Sequence, residues 1–296
     1  LKLPRGEGLV HGAFEVAAGS VIGRDHAAAG RNNQDAFCWL STPAATLAVV
    51  CDGCGSGRHS EVGARLGARL SVEALRRQVL RLGRRSPGVV LEAVRLELLA
   101  ELTRLATGMG GGLSQAVADY LLFTIVGVVV TESAAMVFSL GDGVTAVNGV
   151  PEVLESPDNE PPYLAYALSG MPPSARSREE LSFRALKVLP AAEVDAIVIG
   201  SDGVGDLLRV AERLLPGRSE PAGPIRQFWE DDRYFRNPAS LGRRLAQLNR
   251  PASRIDWERR RVEREHGLLP DDTTLVVVRR RRAPGPEQAA VPEAEP

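Results

Sequence analysis

The chain has 296 residues, 44% hydrophobic and 25% charged, the proportions of a soluble globular protein with a sizeable core. Its formal net charge is −1, so no global field draws it to nucleic acid or to an anionic membrane. The most apolar run, residues 120–130, is far shorter than the roughly 20 residues of a membrane helix, and three cysteines do not make a disulfide scaffold. No basic stretch with an apolar core and cleavage site opens the chain, so no secretory signal is expected and a reducing cytoplasm is the expected location.

Residues 1–12 read as an irregular lead-in and 14–22 as a loosely alternating strand. A polar loop at 23–35, rich in turn formers, runs into a strand at 36–40, so Asp35 stands where loop meets strand. Taken alone, such an aspartate is most often a turn or cap residue. The apolar run 47–50 is a buried strand that ends in Asp52-Gly53. Glycine after aspartate leaves no Cβ to block approach, so a carboxylate and a backbone carbonyl can face one hard cation. The same dipeptide is also the commonest hairpin signal, and a plain turn stays open at this point.

An amphipathic helix is expected over 60–82, with Val62, Leu66, Leu70 and Val79 at helical spacing. Its small residues Ala64, Gly67 and Ala68 would let it lie close against a sheet. Arg58 and His59, just ahead, read as a solvated helix start. A second helix is expected over 89–106. The glycine-rich stretch 108–114 lacks the Gly-Lys-Ser/Thr of a nucleotide-binding loop and reads as a connector. A long buried strand follows at 119–131 and another at 134–140, ending in Gly141-Asp142-Gly143. Residues 144–148 continue as a hairpin partner with Asn148-Gly149 as the turn. Strand after strand through short turns argues an antiparallel sheet.

The proline-punctuated segment 151–180 reads as an exposed loop and a candidate flap over a site. Strands return at 181–189 and 195–199, the second running into Asp202-Gly203 and Asp206. Residues 207–267 read as helical and increasingly basic, the run Arg259-Arg260-Arg261 being a solvated helix face partnered by Glu258, Glu263 and Glu265. Without aromatic interleaving or net positive charge, nucleic acid is not an expected partner. A last strand, 271–278, is entered through Asp271-Asp272. The Pro-, Ala- and Glu-rich end, 283–296, cannot bury enough surface to fold, leaving 1–282 as a single domain with a disordered tail.

Aspartates thus stand at five strand ends: Asp35, Asp52, Asp142, Asp202 with Asp206, and Asp271 with Asp272. Two bare carboxylates ~4 Å apart repel by about 4 kcal/mol at an effective dielectric of ~20, so a converging cluster needs cations. The ligands are hard oxygens with no histidine at ligand spacing, which selects Mg²⁺ or Mn²⁺ over Zn²⁺. Two such ions ionise a water and aim it at phosphorus. The chemistry read from the residues is hydrolysis of phosphate esters.

The ordered stretches Asn33-Gln34-Asp35, 50–57 (VCDGCGSG), Leu140-Gly141-Asp142-Gly143, 199–206 (IGSDGVGD) and Asp271-Asp272-Thr273-Thr274 resemble the motifs of the metal-dependent protein phosphatases of the 2C type, in their bacterial form. One such motif is weak; five in order are specific. The resemblance spans about residues 14–280 and implies an α+β fold, an αββα sandwich of two antiparallel sheets flanked by helices. It implies removal of phosphate from phosphoserine and phosphothreonine in proteins, with a phosphorylated protein, the product of a serine/threonine kinase, as partner. By position, Asp52 would bridge two Mn²⁺ or Mg²⁺ ions and the Gly53 carbonyl would complete one of them. Asp202 and Asp271 would hold the other, and Asp35 would hydrogen-bond metal-bound water. Asp142 and Asp206 would serve a third, weaker metal site. Thr273 and Thr274 would be structural, and Asp272, facing away from Asp271 by strand alternation, would support from behind.

Two positions depart from the family. Cys54 stands where many members place a histidine as candidate general acid; a thiol can donate a proton, but a small packing residue is the preferred reading. Arg31 lies close to the position of the phosphate-gripping arginine yet one place out of step, with Arg24 and His26 as competitors. The rival to an active phosphatase is a catalytically inactive module of the same fold that docks partners, which survival of Asp52, Asp202 and Asp271 disfavours. A redox or zinc role for Cys51 and Cys54 lacks a second cysteine pair.

Overall fold

The computed structural model describes residues 12–79, 86–169 and 177–282. The lead-in before Gly12, the centre of the expected flap and the tail at 283–296 lie outside them.

Two five-stranded antiparallel sheets stack on one another. The first has the order β1 (Phe14–Val21), β12 (Thr273–Arg280), β9 (Ala196–Gly200), β6 (Gly143–Val147), β7 (Val150–Leu154). The second has the order β2 (Asp35–Ser41), β3 (Ala45–Asp52), β4 (Ile125–Thr131), β5 (Ala134–Leu140), β8 (Arg184–Pro190). A separate two-stranded sheet pairs β10 (Ala252–Asp256) with β11 (Arg261–Glu265). Among the described residues no helix is long and apolar enough to cross a membrane.

The burial of the central strands explains why they read as unbroken apolar runs. Ala48 and Val50 of β3 face β9 and β12 of the other sheet through Ile197, Ile199, Val276 and Val278. Their neighbours Leu47, Val49 and Cys51 face the outer helices α2 (Ser60–Gln78) and α3 (Pro87–Met109) through Ala64, Leu75, Leu91 and Leu98. On the far side, Leu275 and Val277 of β12 pack with Leu207 of α4 (Gly203–Arg209) and Leu241 and Leu245 of α5 (Ser240–Leu248). A strand covered on both faces has no polar side to show. Each fully buried aliphatic side chain contributes about 1.5–3 kcal/mol of transfer free energy, so three such layers outweigh local propensity.

Helix α2 lies close, as its small residues require. A Cβ on Gly63 would fall 1.6 Å from the Tyr120 carbonyl oxygen, and one on Gly67 would fall 2.3 Å from the Phe123 ring. Most expected elements are present within a few residues of their expected ends, and four expectations are corrected. The strand expected from Asp119 begins only at Ile125; residues Val117–Leu121 form a π-helical turn. The hairpin partner of β6, across Asn148 (φ 50) and Gly149 (φ 84), is the strand Val150–Leu154, inside what reads as loop. The polar loop 23–35 contains a short helix, α1 (Arg24–Ala28). Most consequentially, residues 255–265 are no helix: they belong to the β10–β11 hairpin, turning at Arg260 (φ 50). Pro251 prevents α5 from running on, and the alternation Arg254, Ile255, Asp256 has the period of a strand.

The strand ends that carry the aspartates gather at one edge of the sandwich. Asp35 opens β2 directly opposite Asp52, the last residue of β3. In the other sheet Gly200 ends β9 between Leu275 of β12 and Val144 of β6.

Candidate metal centre

Close backbone packing builds the acidic edge. The Gly53 amide donates to the Gln34 carbonyl at 3.2 Å, and Gly53 bridges Phe123 rather than turning a hairpin. A Cβ there would sit 2.8 Å from that carbonyl. Gly203 is tighter still, a Cβ falling 2.1 Å from the Asp272 carbonyl oxygen. These contacts draw the turn after β3, the start of α4 and the entry to β12 together, and with them Asp52, Asp202 and Asp271.

Asp202 is the common neighbour. Its charge reaches Asp35, Asp52, Asp142 and Asp271, and its carboxyl is close enough to that of Asp52 to share a hydrogen bond. Burial and then the charges of Asp35 and Asp202 push the Asp52 carboxyl well above its ordinary 3.8. Burial pushes Asp35 up to about 8, with the Ser201 hydrogen bond opposing and the charges of Asp272 and Asp202 adding. Asp142 is pushed up to about 6, again by burial first and Asp202 second. Burial and Asp202 raise Asp271 as well. These four carboxyls strain toward protonation because each is taken out of water first and set among other carboxylates second.

Asp35 is buried; its Oδ2 accepts the Ser201 hydroxyl at 2.6 Å, while its Oδ1 has no hydrogen-bond partner. Asn33 shapes the approach, accepting the Asp35 amide at 2.9 Å and donating to Ser20 at 2.8 Å. Asp272, just ahead of β12, turns inward and is buried. Its two oxygens accept the Gly23 and Gln34 amides, each at 2.6 Å. His26 Nδ1 lies 2.9 Å from Asp272 and 3.7 Å from Asp271, in a group whose ligand atoms all lie within 4.8 Å. Both Asp272 oxygens being engaged, that group serves better to brace Asp271 than to hold an ion. Thr274 is structural in the same sense, its amide donating to Ser201 and its hydroxyl bonding to Ser20.

Not every expected residue joins the cluster. Asp206, one turn into α4, is paired with Arg209 at 2.7 Å. Arg31 reaches over the turn after Asp52 and donates to the Gly55 carbonyl at 2.8 Å. Its competitor Arg24 is tied to the Gly267 carbonyl and to Asp25. The Cys54 thiol lies 3.1 Å from the Ser56 hydroxyl. Facing it is Tyr163, which nothing in the sequence marks. Burial first, then the Cys54 thiol and the charges of Asp52 and Asp142, hold the proton on the Tyr163 hydroxyl far above the phenol range. Cys38, Cys51 and Cys54 are all free.

The donor set is all oxygen, crowded and short of positive charge, with a buried carboxylate oxygen unmatched. That suits hard divalent cations and does not suit Zn²⁺. Comparison with known proteins agrees with the motifs. The family model of protein phosphatase 2C matches residues 22–231. The chain is similar to the solved structure of PppA from Pseudomonas aeruginosa (20% identity, 90% of this chain and 97% of that one, TM-score 0.47). It is similar also to the serine/threonine phosphatase Stp1 from Staphylococcus aureus (14%, 90% and 94%, TM-score 0.46). The serine/threonine phosphatase PstP/Ppp of Mycobacterium tuberculosis is a further likeness (14%, 91% and 99%, TM-score 0.44). No curated protein matches the chain.

Proposed function

Because this chain belongs to the protein phosphatase 2C family, a metal-dependent family, we propose that it is an active enzyme that hydrolyses phosphoserine and phosphothreonine in proteins. The observation that carries the reading is the convergence of Asp35, Asp52, Asp142 and Asp271 around Asp202, the first four with carboxyls pushed toward protonation. Such a cluster is a poor way to stabilise a fold and a good way to hold cations. Asp52, the Gly53 carbonyl, Asp202 and Asp271 would hold two Mn²⁺ or Mg²⁺ ions, with Asp142 and Asp206 available to a third once Arg209 releases Asp206. Bound there, the ions supply an ionised water and neutralise phosphoryl oxygens.

The chain's own residues do the rest. Asp35, held by Ser201, offers its unmatched oxygen as acceptor to a water and so orients it. Arg31 spends one amino group on Gly55 and keeps its other donors for a phosphoryl oxygen at the rim. Cys54 and Tyr163 wall one side of the cluster and limit water there. The partner is a phosphoprotein, made by a kinase of the same specificity. Free cysteines fit a reducing cytoplasm. The single domain spans both sheets and their helices, up to residue 282.

The test is phosphate release from a phosphothreonine peptide with millimolar Mn²⁺. Turnover should stop with EDTA and with Asp202→Ala. Full activity after EDTA treatment overturns the metal mechanism; Mn²⁺-loaded chain that binds phosphopeptide without hydrolysing it is the inactive docking module instead.

A further inference from the structure

The β10–β11 hairpin belongs to neither large sheet and has no part in the acidic cluster. Two strands alone are marginal in water; three or more are needed for independent stability. Among the described residues both strands pair only with each other, which leaves the backbone groups of both outer edges without a strand partner there. Among its mostly charged side chains three are large, apolar and exposed. Ile255 lies opposite Val262, half exposed each, and Trp257 just beyond them is 80% exposed.

At the base of the hairpin is a cavity of about 410 Å³ lined by Arg218, Gln247, Arg250 and Ser253. Ser253 lies opposite Arg264 and shares its strand face with Ile255, so the cavity and the apolar pair lie along one surface. The hairpin's strand acids are already in use. Asp256 and Glu263 pair with Arg254, Arg259 and Arg261, and Glu265 accepts the Gly217 amide at 2.8 Å. Among the described residues, Arg218, Arg250, Arg260 and Arg264 are left with no carboxylate partner. Glu258 stands apart at the turn. The surface therefore presents unpaired hydrogen-bonding edges, an apolar stripe and unneutralised arginines in sequence.

We propose that this surface docks an extended, acidic segment of the phosphoprotein substrate. The segment adds a third strand to the hairpin, sets apolar side chains on Ile255, Val262 and Trp257, and places carboxylates against Arg218, Arg250 and Arg264. The substrate's identity rests on the phosphatase reading; the chemistry of the docked segment does not. Position supports the link: Glu265 and Asp271 are six residues apart, a reach of at most about 22 Å. A segment held on the hairpin delivers a nearby phosphoresidue to the acidic edge.

The experiment uses the full chain and two double variants, Arg218→Glu with Arg250→Glu and Trp257→Ala with Val262→Thr. Binding is read by anisotropy of a fluorescein-labelled, unphosphorylated Glu/Leu-rich peptide, in EDTA so that the metal site contributes nothing. Turnover is read on a phosphopeptide with and without that acidic stretch, and on p-nitrophenyl phosphate. Each variant should weaken peptide binding about tenfold and raise KM for the acidic phosphopeptide alike, with kcat and p-nitrophenyl phosphate hydrolysis unchanged. Equal binding by wild type and variants, or no binding by wild type, overturns the proposal. So does capture of phosphatidylserine vesicles or an RNA oligonucleotide in place of the peptide, or self-association in sedimentation that the variants abolish. Peptide binding without any hydrolysis by wild type leaves the docking surface standing and removes the phosphatase reading.

Discussion

The Ser201 hydroxyl donates a 2.6 Å hydrogen bond to Asp35, joining the residue after β9 in one sheet to the first residue of β2 in the other. The same oxygen accepts the Thr274 amide at 3.1 Å, so three strand ends meet on one side chain. The acidic edge is thus assembled by the stacking of the sheets, and its chemistry depends on that stacking being complete.

Divalent cations should stabilise the folded chain. Only the folded state brings Asp52, Asp202 and Asp271 together, and a ligand at ~100 times its dissociation constant adds about 2.7 kcal/mol to stability. Thermal unfolding with millimolar Mn²⁺ or Mg²⁺ should show a higher Tm than with EDTA. Asp202→Asn should erase the difference; an identical Tm in wild type with and without cations contradicts the site.

Metal-free protein should lose stability as pH rises. Asp35 and Asp142 have folded values of about 8 and about 6 against an unfolded 3.8, so the folded state binds protons more tightly than the unfolded one. Their contribution is complete below pH ~4 and is lost as pH climbs through ~6 and then ~8. In EDTA the Tm should fall between pH ~5 and ~8.5, and saturating Mn²⁺ should flatten the slope because it favours the ionised carboxylates. A flat Tm in EDTA, or one that rises over this window, refutes the crowding.

Adjacent aspartates should fail differently. Asp272→Ala leaves the buried Gly23 and Gln34 amides unmatched, at about 1–3 kcal/mol for each, and should lower the Tm even in EDTA. Asp271→Ala frees one part-buried amide, that of Asp272, and relieves one crowded carboxyl, so it should lower the metal-free Tm less than Asp272→Ala does while abolishing the Mn²⁺-induced rise. The two variants measured side by side, with and without Mn²⁺, separate scaffold from ligand. Matching behaviour would refute the division.

Cys54→Ala should change turnover on a phosphopeptide by less than about tenfold, because a group that transfers the decisive proton contributes on the order of 10²–10⁴-fold. Tyr163, 7% exposed, should matter more to folding: Tyr163→Ala opens a void of the kind that costs about 3–5 kcal/mol for a large aromatic. A drop of two orders of magnitude on Cys54→Ala would make the thiol a participant.

Much of this was legible in the residues, for reasons that also explain the failures. β3, β4, β5, β9 and β12 are apolar on both faces, the pattern of a strand covered on both sides. The same rule misleads at residues 119–124, an apolar run that does not join the ladder. There the His59 amide is bonded to Asp119 and the Cys54 amide to Leu122, which draws the chain onto the start of α2. The Arg- and Glu-rich stretch 255–265 resembles a helix in composition, and only its alternation speaks for a hairpin. Aspartates at strand ends were visible because each stands within two residues of the end of a strand built on an apolar run, at its start for Asp35 and Asp271 and at its finish for Asp52, Asp142 and Asp202. Ser201 and Tyr163 were not, since their importance comes from which distant groups the fold sets beside them.

β12, the latest in chain order of the described strands, lies between β1 and β9 in the first sheet. Until Thr273–Arg280 clears the ribosome, that sheet has a slot in its middle and Asp271 has not arrived. A chain that stops short of β12 therefore carries most of the acidic residues yet lacks the strand that sets Asp271 among them.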